Sequence, residues 1–354
     1  MMDKPSRDGE SRPAVPRTRL RYIPDNVPGY TRVKRGRGVY YADPENNRIT
    51  DEKKLDRFRA LAIPPAWREV WICPSKKGHL QATGVDEEGR KQYLYHPAWT
   101  AERQRKKMQR MVVFGEALPR IRRRMTRDLR YHTPVREKAI AIALRVMEET
   151  LIRVGSDQYL RRYSSHGLTT LKKKHINISD NTITCCFLGK KKVYHEIRFQ
   201  HSRLAAWLME MQQLAGPFFF QYVDEAGKPC RLRARDINSY LQRNSTVAFS
   251  SKDYRTWYAG LWTFRLLAGY PEYTDDKTCK TNIIEVLDAV SERLGNTRSV
   301  CRQYYVPDNL LAAYEDGTLL PYLFRSRQRR RLPTLKQAET HLLAFLRNRI
   351  GKNK

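Results

Sequence analysis

"HPAWTAERQRKKMQRM", His96 to Met111, is where the texture of the chain changes. Upstream, in "YTRVKRGRGVYYADPENNRI" (residues 30–49) and "EVWICPSKKGHLQATGVDEEGRKQYLYH" (residues 69–96), short runs of β-branched and aromatic residues are punctuated by Gly, Asp and Asn. That pattern predicts a small antiparallel sheet. Between those runs, "DEKKLDRFRALAI" (residues 51–63) places Leu55, Phe58 and Ala62 at helical spacing and predicts one inserted helix. Downstream the dominant period is helical. The fold class is therefore α+β: a β-rich N-terminal domain over residues 21–104 and a mainly helical domain over 105–354 that contains a short β-hairpin. Residues 1–20, rich in Pro, Ser and Arg without periodicity, read as a flexible basic tail.

Within the helical half, "HTPVREKAIAIALRVMEETLI" (residues 132–152) offers Thr133 as N-cap and Pro134 as first helical residue, with Ile140, Leu144, Met147 and Leu151 on one face. Its far end delivers Arg153. "HINISDNTITCCFLGKKKVYHEIRF" (residues 175–199) then alternates as two strands, Ile183, Cys185 and Phe187 before the turn and Val193 to Phe199 after it, with Lys190 at the tip. "FSSKDYRTWYAGLWTFRLLAG" (residues 249–269) reads as a helix with Ser251 as N-cap. A last helix after "RRRLPT" aligns Leu335, Ala338, Leu342, Leu346 and Ile350. The cluster "RSRQRRR" (residues 325–331) reads as a solvated loop able to touch phosphate.

With 68 Lys and Arg against 37 Asp and Glu, the 354-residue chain carries +31. Such a charge repels itself in a compact state unless a polyanion shares the surface, which points to nucleic acid. A hydrophobic content of 40% with six tryptophans argues that the chain nevertheless folds. The six cysteines lack the short paired spacings of zinc sites or disulfide scaffolds and read as buried thiols in a reducing compartment. No apolar run of about 18 residues exists, and the N-terminus has no secretory signal, so the expectation is a cytoplasmic, nucleoid-associated protein with no membrane partner. There is no Gly-x4-Gly-Lys-Ser/Thr loop, no HExxH and no obvious acidic pair for two metals. A chain that handles DNA without nucleotide, metal or other cofactor must meet phosphate charge with arginine, lysine and dipoles.

Four places set a polar residue in a rigid local frame: "IRVG" at Arg153, "FLGKKK" at Lys190, "KDYRTW" at Arg255, and "LGNTRSVCRQYY" at Asn296 and Tyr305. At these residues the chain resembles the type IB DNA topoisomerases, specifically the compact poxvirus-like enzymes of bacteria. "SSHGLTTLKKKHI", "ALAIPPAW", "WICP" and "GHLQATGVDEEGRKQYLYH" extend the resemblance from about residue 22 to near the C-terminus. The spacings agree too, 37 residues from Arg153 to Lys190 and nine from Asn296 to Tyr305.

The resemblance implies an enzyme that closes as a clamp around double-stranded DNA and acts as a monomer. It relaxes supercoils by transient cleavage of one strand through a 3′-phosphotyrosyl link. Tyr305, not Tyr304, holds the nucleophile register. Arg153 and Arg255 would steady the phosphate, Lys190 would protonate the departing 5′-oxygen, and Asn296 would give one further hydrogen bond. In the same way Arg90, Gln92, Tyr93 and Tyr95 match DNA-contacting positions of the first domain, and Tyr159, Thr170 and Lys252 those of the second. Two departures stand out. The poxvirus branch places a histidine where this chain has Asn296, while many bacterial members carry asparagine; since an amide does not titrate, no inflection near pH ~6.5 is expected. Family members commonly have proline where this chain has Arg298, which either adds a phosphate contact or loosens the turn. Two other readings stay open: a site-specific tyrosine recombinase, which shares the Arg, Lys, Arg and Tyr chemistry, and a DNA-binding protein whose catalysis has decayed.

Overall fold

A computed structural model describes residues 20–36, 38–326 and 332–351. Nearly all of the expected basic tail, and residues 327–331 of the arginine cluster, lie outside the described residues. The chain divides into two compact units, Met1–Lys106 and Lys107–Lys354.

The first unit is an antiparallel sheet of five strands, β1 (Tyr30–Arg35), β2 (Gly38–Ala42), β3 (Arg68–Ile72), β4 (Leu80–Val85) and β5 (Lys91–Tyr95), in the order β2-β1-β3-β4-β5. Helix α1 (Glu52–Ala60) crosses one face and drives Phe58 between Tyr30 and Tyr41, with ring centroids 5.0 Å away on each side. Val70, Ile72 and Ala82 complete that core. Asp51 caps the helix by accepting from the N–H groups of Lys53 and Lys54. Ala62, expected on the apolar face, is instead exposed at φ 47° beyond the helix end, and Ile63 takes the buried place. The helix has no way to continue into Pro64 and Pro65, which lack the N–H it needs, and Arg32 then holds the chain beyond its end by donating to the carbonyls of Ile63, Pro64 and Trp67.

Helix α2 (Pro97–Asp128) carries the chain into the second unit. There α3 (Arg136–Thr150) is buried on nearly every side, and even Lys138, 4% exposed, is enclosed with its ammonium 2.7 Å from Glu210. The expected N-cap at Thr133 does not form. The carbonyl of Pro134 accepts the N–H of Val223, so the segment is drawn into a strand-like path and the helix begins after Val135, which is extended. The helix ends at Leu151, buried and left-handed at φ 54°.

After α4 (Asp157–Tyr163) come three strands rather than two: β6 (Ile176–Ser179), β7 (Thr182–Leu188) and β8 (Tyr194–Gln200), in that order. "HINIS" pairs with β7 through a tight turn at Asp180, φ 52°, which adds a hairpin ahead of the two expected strands. Ile183, Cys185 and Phe187 are buried as the alternation predicted. Helix α5 (Ser202–Gln213), the short hairpin β9 (Gln221–Val223) and β10 (Pro229–Arg231), and α6 (Ala234–Arg243) follow. Helix α7 (Ser251–Leu267) is capped by Ser250, one residue before the expected Ser251, because the Asp253 carboxylate accepts from both the N–H and the hydroxyl of Ser250. Helices α8 (Asp276–Leu294), α9 (Arg298–Tyr304), α10 (Asp308–Glu315), α11 (Leu320–Ser326) and α12 (Leu335–Gly351) complete the unit. Ala338, Leu342 and Leu346 of α12 are fully buried, as their spacing required. All six cysteines are free thiols, but Cys186 and Cys230 are only half-buried, against the expectation that all would be core.

Candidate active site

Three chain reversals converge in the second unit. The left-handed end of α3 releases Arg153 two residues later. The α8 helix stops at Gly295, with φ 58°, and turns directly into Asn296. Tyr305 closes α9, its N–H on the carbonyl of Cys301. Arg255 projects from α7 among them, only 4% exposed.

These groups bind one another. Arg153 donates to the side-chain oxygen of Asn296 and, at 3.1 Å, to the carbonyl of Gly295. Arg255 donates to the carbonyl of Leu151, the end of α3, and at 2.8 Å to that of Leu294, the end of α8. Both are helix C-terminal carbonyls, which need donors and favour a cation. The same guanidinium stands 5.2 Å from the centre of the Tyr305 ring. Lys190, in a tight turn over Lys190–Lys192 whose last two residues are left-handed at φ 63° and 58°, lines one cleft with Arg153 and Arg255. All five sequence-nominated catalytic residues are therefore gathered in the second unit.

The electrostatics suit an incoming anion. Burial lowers the pKa of both arginines, that of Arg255 to about 10, which leaves them cationic at neutral pH. Burial alone would push the Tyr305 phenol up; the nearby Arg255 and Arg153 charges, with Asn296 close by, outweigh it and bring it below the ordinary tyrosine value. Two buried donors, Nε of Arg255 and Nδ2 of Asn296, have no hydrogen-bond partner among the described residues. Buried donors without partners cost about 1–3 kcal/mol each, so they mark a place where a ligand's oxygens complete the structure.

The chain is similar to known proteins along most of its length. Residues 96–316 match the family model described as eukaryotic DNA topoisomerase I, catalytic core. DNA topoisomerase 1B of Acanthamoeba polyphaga mimivirus is 31% identical over 296 residues, covering 82% of this chain and 88% of that one. The chain belongs to the type IB DNA topoisomerases. The enzyme's residues 38–86 also match the family model described as bacterial DNA topoisomerase IB, N-terminal domain. DNA topoisomerase 1B of Vaccinia virus (strain Copenhagen) is 25% identical over 246 residues, 67% of this chain and 73% of that one.

The remaining nominated residues divide by environment. Tyr93 is exposed and stacks on Tyr95 at 6.1 Å, with Lys91 over its ring and Arg103 over that of Tyr95. Gln92 lies on the opposite face of β5, beside core-packed Leu94, and donates to Asp86. Arg90 is engaged by Asp86 and Glu88. Tyr159 and Lys252 are exposed. Thr170 is fully buried, and its hydroxyl both accepts from the N–H of Gly167 and donates to that residue's carbonyl. Arg298 neither loosens the turn nor stands free for phosphate; its fork pairs with both oxygens of Asp288 on α8. Among the described residues no group of three or more His, Cys, Asp or Glu is placed to hold a metal, and no helix is long and apolar enough to cross a membrane.

Two site residues escaped the sequence reading. Lys107 donates at 3.1 Å to the carbonyl of Val306, the residue after Tyr305, and burial takes its pKa down to about 8. Its signal was diluted in a run of exposed basic residues. His195 sits in the cleft with Lys190, and burial, then Arg153 and Arg255, lowers its pKa. Two imidazoles, His166 and His195, thus line the cleft. The expectation that rests on the Asn296 amide is that single-turnover cleavage rates measured from pH 6 to 8 show no inflection near ~6.5. A limb centred there would mean that a histidine titrates during catalysis.

Proposed function

We propose that the enzyme relaxes supercoiled duplex DNA with Tyr305 as nucleophile and Arg153, Arg255, Asn296 and Lys190 as its partners. The observation that carries this is the pair of buried donors without a partner among the described residues, Arg255 Nε and Asn296 Nδ2, beside a phenol made more acidic by two arginines. Tyr305, its phenolic proton released to solvent under the field of the two arginines, attacks phosphorus in line, forming the tyrosyl P–O bond as the P–O5′ bond breaks. The guanidinium forks and the Asn296 amide give hydrogen bonds to the non-bridging oxygens, where charge accumulates in the transition state. Lys190, exposed and with no side-chain hydrogen bond or ion pair among the described residues, passes a proton to the departing 5′-oxygen and recovers it on resealing.

One phosphodiester is exchanged for another, so the chemistry conserves bond energy and needs no ATP. Strain stored in the DNA drives rotation about the intact strand between the two steps. The five groups come from one chain, which supports action as a monomer. The exposed aromatic and basic residues Lys91, Tyr93 and Arg103 support contact of the first unit with duplex DNA. Cytoplasmic action on the nucleoid belongs to the same proposal.

Incubation with supercoiled plasmid in EDTA without ATP is expected to give relaxed topoisomers. An SDS stop is expected to leave protein attached to a 3′ end. Attachment at the 5′ end, or relaxation that depends on added metal or nucleotide, would overturn the assignment, and strand exchange between two duplexes would favour the recombinase reading. Binding that falls steeply with salt, with no covalent complex, would identify a protein that keeps only its affinity for DNA.

A further inference from the structure

Four of the five groups proposed for catalysis are tied to one another through Arg153 and Arg255. Lys190 is not: its side chain makes no hydrogen bond or ion pair among the described residues. Only its turn locates it. That turn is closed by Gly189 N–H on the Val193 carbonyl at 2.8 Å, and Lys192 N–H on the Gly189 carbonyl at 3.1 Å. What fixes the turn relative to the arginines is therefore a question the five residues leave open.

We propose that His195 answers it as a positioning residue, its ring forming a wedge between the turn that carries Lys190 and the turn that carries Asn296. His195 lies directly across from Phe187 in the β7–β8 pair, and the two rings stack at 5.0 Å with 15° between their planes. A Cβ added to Gly189 would stand 2.6 Å from Cδ2 and Nε2 of the imidazole, and one added to Gly295 only 1.9 Å from Cε1. Both values are well inside van der Waals contact, so the ring rests against two bare α-carbons. Gly295 has a second reason to be glycine, its left-handed φ of 58°. Gly189 does not: at φ −90° any residue fits, and the approach of His195 is what excludes a side chain.

The proposal rests on the reading of Lys190 as general acid. In the ordinary reaction the tyrosyl P–O bond forms, P–O5′ breaks, and the 5′-oxygen takes a proton from Lys190. With sulfur in place of the bridging 5′-oxygen, P–S breaks instead. The leaving thiolate, of pKa near ~8.5, keeps the electron pair and needs no proton. A defect confined to Lys190 or its placement disappears on that substrate; a general distortion of the pocket does not.

The experiment compares wild type, Lys190→Ala, His195→Ala and His195→Phe. Each cleaves, in a single turnover, an ordinary duplex and its 5′-bridging phosphorothiolate counterpart at a site mapped with the wild-type enzyme. His195→Ala is expected to slow ordinary cleavage by about 100-fold, the lower end of what general acid catalysis contributes, and to approach wild type on the thiol substrate. His195→Phe keeps a planar wedge and is expected to stay within a few-fold of wild type on both. Wild-type rates for His195→Ala on the ordinary duplex, or equal losses on both substrates, would overturn the proposal. So would a His195→Phe enzyme as slow as His195→Ala on the ordinary duplex, which would make a ring nitrogen the active feature. Lys190→Ala that is not rescued by sulfur would sink the general-acid reading itself; rescue of Lys190→Ala without rescue of His195→Ala would sink only the role of His195.

Discussion

Tyr305→Phe is expected to lose at least ~10⁴-fold in single-turnover cleavage and to form no SDS-stable complex, because no other group can supply the attacking oxygen. The fold has little reason to change. Tyr305 is held by its backbone N–H on Cys301 and by partial burial of its ring, and both survive removal of the hydroxyl. Equilibrium unfolding should therefore stay within ~0.5 kcal/mol of wild type. Tyr304, its neighbour, is 53% exposed and serves as the matched control: Tyr304→Phe should cleave normally. A covalent complex that persists in Tyr305→Phe and vanishes in Tyr304→Phe would reverse the register of the nucleophile.

Arg255→Ala is expected to damage both chemistry and stability. Loss of one preorganised donor to a developing oxyanion typically costs ~10²–10³ in rate, and Arg255 also contributes to the acidity of Tyr305. The same truncation strips the carbonyls of Leu151 and Leu294 of a donor they receive in a buried setting. An unfolding deficit of about 2–5 kcal/mol follows from two such carbonyls and the vacated volume. Arg255→Lys keeps the charge but lacks the fork that reaches both helix ends, so it should recover part of the rate and little of the stability. Denaturant unfolding beside single-turnover cleavage separates the two effects. A variant as stable as wild type would show that Arg255 serves the substrate alone.

The division of labour between sequence and structure follows from the range of the forces involved. Local period was enough to find the sheet and the buried faces of β7 and α12. Helix starts at Val135 and Ser250 were misplaced because each was decided by a partner the local pattern does not contain, the N–H of Val223 in one case and the choice of Asp253 between two serines in the other. At the site, motif resemblance nominated the residues, but it carried no information on how they are held. That Arg255 spends its fork on two helix ends, that Thr170 is interior, and that Arg298 pairs with Asp288 all depend on segments far apart in the chain. His195 was hidden for a different reason. A histidine in an alternating strand looks like any half-buried residue until the glycines at 189 and 295 are seen against its ring.

Cys301 lies at the root of this arrangement, one helical turn before Tyr305, fully buried, with its thiol pushed up to about 11. Thiol reagents attack the thiolate, so in the closed protein this sulfur is shielded by both access and protonation. It becomes reactive only when α9 lifts from its seat, whereas the half-buried Cys186 and Cys230 are open to reagent more of the time. The helix that ends in the candidate nucleophile thus contains its own clock: the rate at which Cys301 is labelled counts how often that helix opens, and slower labelling with DNA bound would measure, in units of time, how firmly the substrate holds the tyrosine in place.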